Sequence, residues 1–302
     1  MRVPRLSIGV PVFNGEAYLR RALDSILLQD YRDYEVIISD NASTDGTEAI
    51  AREYSARDPR FRYFRNRRNI GAVPNFNRTF ELSRGEFFKW LSHDDECYPS
   101  MFGRCVDVLS NAPPHVVLVY PQCEAIDENS VSHGPVYEHV ESRAPLPHQR
   151  LARVLFKVDS VISLCGVIRA KYLRQTRMRG SFIKEDRVLL AELAMLGEIW
   201  EIPEVLWKLR FHDRNAHRLN RTVQHYMTWI SPANAARRFL MPPSVRLFRE
   251  YLRGVRAIEL SASDKLACYA TVPFVHCLIP FRNFAGRQRA RLSRLRPAFG
   301  GR

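Results

Sequence analysis

The chain has 302 residues, a formal charge of +14, and 46% hydrophobic against 26% charged residues. That length can bury a sizeable core in one large or two modest domains, and the apolar share is that of a soluble globular protein. The longest apolar stretch, residues 266–279, is too short to span a bilayer and contains Pro273 and His276, which excludes a transmembrane helix. No apolar signal region opens the chain, and its cysteines (97, 105, 123, 165, 268 and 277) form no CxxC pair, so the expectation is a cytoplasmic protein with reduced thiols.

Residues 6–13 (LSIGVPVF) are an apolar run that stops at Asn14-Gly15, a strand and its turn. Leu19, Ala22, Leu23, Ile26 and Leu27 then fall on one helical face. A second strand, residues 35–39, ends on Asp40-Asn41, and Asp45-Gly46-Thr47-Glu48 has the capping-box pattern that opens a helix to about Arg57. Residues 61–65 predict a third strand, and the turn at Asn69-Ile70-Gly71 leads to a helix over 75–82. Residues 86–91 form a buried strand that stops on His93-Asp94-Asp95. A helix over 100–110 and a strand over 116–120 follow. Residues 123–150, rich in Pro, His, Glu and Ser, have weak periodicity and read as a surface excursion. Apolar character resumes over 151–168, and a helix running on from Lys184-Glu185-Asp186-Arg187 closes at Gly197. Strands over 199–202 and 205–211 end in Arg210-Phe211-His212-Asp213. Past about residue 216 the pattern is helical and basic with breaks at Pro232, Pro242 and Pro243, which divides the chain into a domain of residues 1–215 and a basic helical region of 216–302.

Strands alternating with helices predict right-handed βαβ units and an α/β fold with a mostly parallel sheet flanked by helices. Ligands bind such sheets beyond the carboxyl ends of the strands. Pro11, Phe13, Asn14, Asp40, Asp94 and Asp95 all fall at such ends and mark a site. Two adjacent carboxylates where a buried strand emerges repel each other, and a hard divalent cation removes that cost. The competing reading is a cap: Asp95 for the helix near Pro99, Asp40 for the turn after it, Asp186 for the helix after Arg187. Both readings stand at this point.

The order of these motifs resembles glycosyltransferase family 2, the inverting nucleotide-sugar enzymes of the GT-A fold, over residues 5–213. Ser7-Ile8-Gly9-Val10-Pro11-Val12-Phe13-Asn14-Gly15-Glu16 is similar to the family's first strand and turn. The stretch from Glu35 through Asp40-Asn41-Ala42-Ser43-Thr44-Asp45-Gly46-Thr47 is similar to its second motif. The resemblance implies that Pro11, Phe13, Asn14, Glu16, Asp40 and Asn41 bind the nucleotide, with Asp40 on the base. It further implies that Asp94 and Asp95 bind ribose and a Mn²⁺ or Mg²⁺ ion, the metal mainly on Asp95. Asp186 would be the general base, with Glu185 able to share the role. Arg210 and His212 resemble a late basic motif that contacts diphosphate or metal. One departure is Ser92, where the family commonly has an acidic residue. Implied partners are a nucleotide-sugar donor and a glycan or lipid-linked acceptor in cell-envelope polysaccharide synthesis. A binding protein without turnover is the rival reading.

Seven arginines and no acidic residue lie between Ile279 and Arg302, a tail drawn to polyanions. A nucleic-acid role is not expected, because the arginines gather at one end. Residues 269–284 join aromatic and aliphatic side chains to that run, which predicts peripheral contact with an anionic inner membrane face. The alternative is a helix packed on the catalytic domain.

Overall fold

The computed structural model describes residues 3–158, 161–213, 222–234 and 241–275. The strand β1 (Leu6–Val12) is buried from end to end, because helices cover both faces of its sheet. The helix α1 (Leu19–Leu27) turns Leu19, Ala22, Leu23 and Ile26 inward. Next, β2 (Tyr34–Asp40) runs parallel to β1 with Val12 opposite Asp40. After α2 (Thr47–Arg57), β3 (Phe61–Arg65) runs parallel to β2 with Asp40 opposite Arg65. Then α3 (Ala72–Glu81) begins before the expected 75, since Gly71 turns the chain at φ +94° and Pro74 falls in the first turn, where its missing N–H is not needed. The strand β4 (Phe87–Trp90) pairs with the other side of β1.

The remaining elements are β5 (Glu96–Cys97), α4 (Met101–Asn111), β6 (Val116–Ile126), β7 (Ser132–Val136), α5 (Pro147–Lys157), β8 (Val167–Arg169), α6 (Ala170–Leu173), α7 (Glu185–Leu196), β9 (Glu198–Arg210), α8 (Val223–Ile230), α9 (Pro243–Ala257) and α10 (residues 262–275). The sheet order is β3-β2-β1-β4-β8-β6-β9-β5, with β7 on β6. The expected parallel pairing holds for β3, β2, β1 and β4 and for β6 with β9, whereas β8 is antiparallel to both β4 and β6.

Two expectations need correction. Residues 123–150 are not wholly a surface excursion: β6 continues to Ile126, turns back as β7, and Gln122, Cys123 and Ile126 are buried because β9 pairs along the whole of β6. The two strands expected over 199–211 are one, whose register with β6 shifts where Ile202 gives way to Val205. Pro203 lacks an N–H for the ladder, and the bulge accommodates it.

One core cluster packs α1, α2 and α4 on one face of the sheet, and a second gathers Phe88, Trp90, Tyr120 and the buried faces of α5, α7 and α9. Gly9 permits the close seat of α3, because a Cβ there would meet Thr79 Oγ1 at 2.4 Å. Arg177 ties α7 to α9 by pairing with Glu192 at 2.6 Å and Glu250 at 3.0 Å. No helix among the described residues is long and apolar enough to cross a membrane.

Candidate active site

The loops at the carboxyl ends of β1 and β2 are laced into one wall. Asn14, at φ 51°, donates its peptide N–H to Ser43 Oγ at 2.9 Å, and its Oδ1 accepts the Thr44 N–H at 2.8 Å. Glu16 accepts the Gly46 N–H at 2.7 Å, while Asp45 accepts from Thr47 N at 3.0 Å. The expected capping box is therefore made partly from the neighbouring loop, and Glu48 pairs instead with Arg52 at 2.8 Å and Arg65 at 3.2 Å. Pro11 is buried in β1 opposite Ser39, and Phe13 stands 42% exposed at the rim.

Asp40 is fully buried. Its Oδ1 accepts the Ser43 N–H at 2.8 Å, and its Oδ2 accepts from the Tyr63 hydroxyl at 2.8 Å and Arg65 at 2.6 Å. The turn-capping role is thus present. A carboxylate offers about four lone-pair sites, of which these three bonds use three. Asn41 faces inward and bonds Asn66, Asn69, Ile70 N and Gly71 O, which anchors the turn before α3. Nothing in the sequence pattern announced that asparagine network.

The chain leaves β4 through Leu91 and turns at Ser92–Asp95, where Asp95 N donates to Ser92 O. Asp94 Oδ2 meets His212 Nε2 at 3.0 Å, and the His212 ring packs against Tyr18 at 4.5 Å between centroids. Asp95 points the other way: it is buried, and its Oδ1 accepts the Arg210 N–H at 3.0 Å. The two carboxyls separate electrostatically. Burial pushes Asp94 up, but the charges of His93 and the bond from His212 outweigh it and hold Asp94 below the usual range. Burial, and then the charge of Asp94, keep Asp95 well above it, against the Arg210 N–H and the buried ammonium of Lys89.

Arg210, expected at the diphosphate, is the clamp of this turn. It is buried, and its guanidinium donates to Asp94 O at 2.7 Å, Asp127 O at 2.6 Å, Ser130 Oγ at 3.0 Å and Glu96. Its side chain therefore joins the β4 turn to the β6–β7 hairpin and faces away from solvent. The sequence offered no sign of that, because its partners lie 80 and more residues away.

Asp186 sits in the first turn of α7, after Lys184 in the left-handed region at φ 63°. Among the described residues its Oδ1 accepts the Arg187 N–H at 2.8 Å. Glu185 is buried and paired with Arg179 at 2.7 Å; burial raises its carboxyl, Arg179 opposes the rise, and Asp186 adds to it. Tyr226 of α8 approaches both acids: burial raises its hydroxyl and their charges raise it further. Val223 and Met227 of the same helix, with Ile183, Met241, Pro242, Pro243 and Arg246, line a cavity of about 340 Å³.

No group of three His, Cys, Asp or Glu side chains gathers around a common metal position among the described residues. The donor set of Asp94 and His212, one carboxylate oxygen and one imidazole nitrogen at the spacing of adjacent ligands, fits a divalent cation whose other ligands come from the ligand itself.

A mixed α/β sheet with acids at its carboxyl edge is the architecture of the GT-A sugar-nucleotide fold, and solved structures of that fold superpose on it. Staphylococcus aureus TarS (residues 1–349, with UDP-GlcNAc) matches with a TM-score of 0.63 at 16% identity, covering 86% of this chain and 69% of that one. The mannosyltransferase PcManGT of Pyrobaculum calidifontis, with GDP-Man and Mn²⁺, matches at 0.53 and 18%, covering 96% and 85%. Residues 7–176 match the family model of glycosyl transferase family 2, and the chain belongs to that family. An uncharacterized glycosyltransferase of Rickettsia typhi is 36% identical over 232 residues, 75% of this chain and 70% of its own length. A glucosyltransferase of Campylobacter jejuni, named for a GalNAc(5)-diNAcBac-PP-undecaprenol substrate, is 34% identical over 116 residues, 38% of this chain and 37% of its own. The chain spans about a third of the length of other curated relatives, 30% for Rickettsia bellii and 35% for Rickettsia felis.

Proposed function

We propose that the protein transfers a sugar from a nucleoside-diphosphate donor to an acceptor hydroxyl with inversion, with residues 1–215 as the catalytic domain. The observation that carries this is the meeting of Asp94 Oδ2 and His212 Nε2 at 3.0 Å on the carboxyl edge of a family 2 sheet. Asp94 and His212 hold a Mn²⁺ or Mg²⁺ ion, with Asp95 behind them; when bound, the ion offsets the negative charge that develops on the departing diphosphate. PcManGT, solved with Mn²⁺ and GDP-Man, supports a divalent ion beside the donor. Asp40 accepts an N–H of the base once Arg65 moves, and Pro11, Phe13, Asn14, Glu16 and Asn41 shape the wall on which the nucleotide rests. Arg210 keeps the acidic turn in place. Asp186 takes the proton of the attacking hydroxyl, a role worth about 10² to 10⁴ in rate. Glu185, neutralised by Arg179, leaves that role to its neighbour. The acceptor is a glycan or lipid-linked glycan; the printed name of the Campylobacter relative supports that class. Ser92, at a position commonly acidic in the family, favours a second reading in which the donor binds without turnover.

A thermal-shift panel of UDP, GDP, dTDP and CDP, with and without Mn²⁺, tests the donor site on wild type and Asp94→Ala. A nucleotide at 100 times its Kd adds about 2.7 kcal/mol, several degrees of melting temperature. One nucleotide is expected to stabilise wild type only with Mn²⁺, and not the variant. No shift with any of them overturns the reading. Nucleotide release from sugar donors, lost in Asp186→Asn, separates turnover from binding.

A further inference from the structure

The helix α10 is apolar on both faces. Cys268, Val272 and Val275 are buried, with the first two in the cluster that holds α7 and α9 to the sheet. That contact seats the helix on the catalytic body. The opposite face carries Leu266 at 72% exposure, Tyr269 at 36% and Phe274 at 67%, with Ala270 and Pro273 exposed between them. Those positions recur at three- and four-residue steps and form one stripe about 12 Å long at 1.5 Å per residue. A helix lying on a soluble domain normally turns charged side chains outward. Here the first turn holds Asp264 and Lys265, and no acidic residue occurs from Lys265 to the end of the sequence.

We infer that this stripe is a docking surface for an anionic lipid bilayer. Two independent features point to that occupant over another protein face. Exposed Leu, Tyr and Phe in one row suit the boundary between headgroups and acyl chains, with the tyrosine hydroxyl at headgroup level. The sequence directly following supplies seven arginines within residues 279–302, a segment outside the described residues. Each basic side chain near an anionic surface strengthens attachment about fivefold, and stable anchoring takes both an apolar and a polybasic signal. The expected alternatives of membrane contact and packing on the domain then describe the two faces of one helix. The inference does not depend on the donor or on Asp186.

The test uses the full chain and sedimentation with vesicles of phosphatidylcholine, with and without phosphatidylglycerol. Wild type is compared with Leu266→Ser/Phe274→Ser and with Arg287→Gln/Arg289→Gln/Arg291→Gln/Arg294→Gln. Wild type should partition onto phosphatidylglycerol vesicles at least about tenfold better than onto phosphatidylcholine alone, less so in high salt. Each variant should lose about tenfold or more while keeping the wild-type melting temperature. Equal binding by wild type and the serine variant overturns the inference, as does recovery that ignores phosphatidylglycerol. Absence of vesicle binding also overturns it. In that case a fall from dimer to monomer in the serine variant would assign the stripe to a second copy, and new protease cleavage within residues 276–302 would assign it to the chain's own tail.

Discussion

Where β1, β2 and β4 end, the polar side chains are bonded to one another: Asp40 to Ser43, Tyr63 and Arg65, Asp94 to His212, Asp95 and Glu96 to Arg210. At the start of α7, by contrast, Asp186 accepts the N–H of its own neighbour Arg187, and Ile183, three residues before it, lines a cavity of about 340 Å³. The first arrangement fixes atoms before a ligand arrives, which under the proposed function suits a diphosphate whose geometry every donor shares. Under the same proposal the second leaves room for acceptors that differ.

The contrast implies that substitutions on the two sides fail differently. Asp186→Asn should lower turnover by about 10² to 10⁴, equivalent to about 2.7–5.5 kcal/mol of barrier, while the melting temperature and nucleotide shift stay put. Nucleotide-release kinetics beside a melting curve would check it, and a loss of stability would mean that Asp186 is chiefly a cap. Arg210→Met should do the reverse. It removes the guanidinium bonds to Asp94 O, Asp127 O and Glu96 and unlocks the acidic turn, costing about 3–5 kcal/mol in a denaturant titration and weakening nucleotide binding with it. A variant as stable as wild type would remove Arg210 from the role of clamp.

Glu138 sharpens the comparison through pH. Burial raises its carboxyl to about 7, against the N–H of Ser163 at 2.8 Å, and Asp186 adds to the rise. The folded state therefore binds a proton that the unfolded chain gives up at ordinary carboxyl pH. Stability from this group is present below about pH 4.5 and is lost as pH rises to about 7. Glu138→Gln should flatten that slope, gaining on the order of 3 kcal/mol over wild type at pH 8 and little at pH 5. Melting temperatures of the two proteins across that range decide it, and parallel curves would reject the assignment. The smallest effect is expected from Asp45→Ala, which removes the cap on Thr47 N and should cost about 1 kcal/mol of stability with no pH dependence near neutrality.

The order of strands and helices through residue 120 was legible because apolar periodicity and turn residues are local signals, as at β1, β2 and β4. The positions of Asp40, Asp94 and Asp95 at one sheet edge followed from the βαβ rule. Their partners did not. Arg210 and His212 lie 114 to 118 residues from the acids they hold, and pairing at that separation leaves no periodic trace in the chain. The same holds for β9, whose two apolar halves read as separate strands until the long pairing with β6 joined them across Pro203. The apolar character of α10 was visible in the sequence, whereas which of its residues face the core and which face out was decided by how it seats on α7 and α9. The sequence by itself determined the elements, their order and the edge where Asp40, Asp94 and Asp95 gather, because those depend on neighbours along the chain. Only the tertiary structure decided which carboxylate meets His212, which arginine is spent as a clamp and which helix face stays bare, because those depend on neighbours in space.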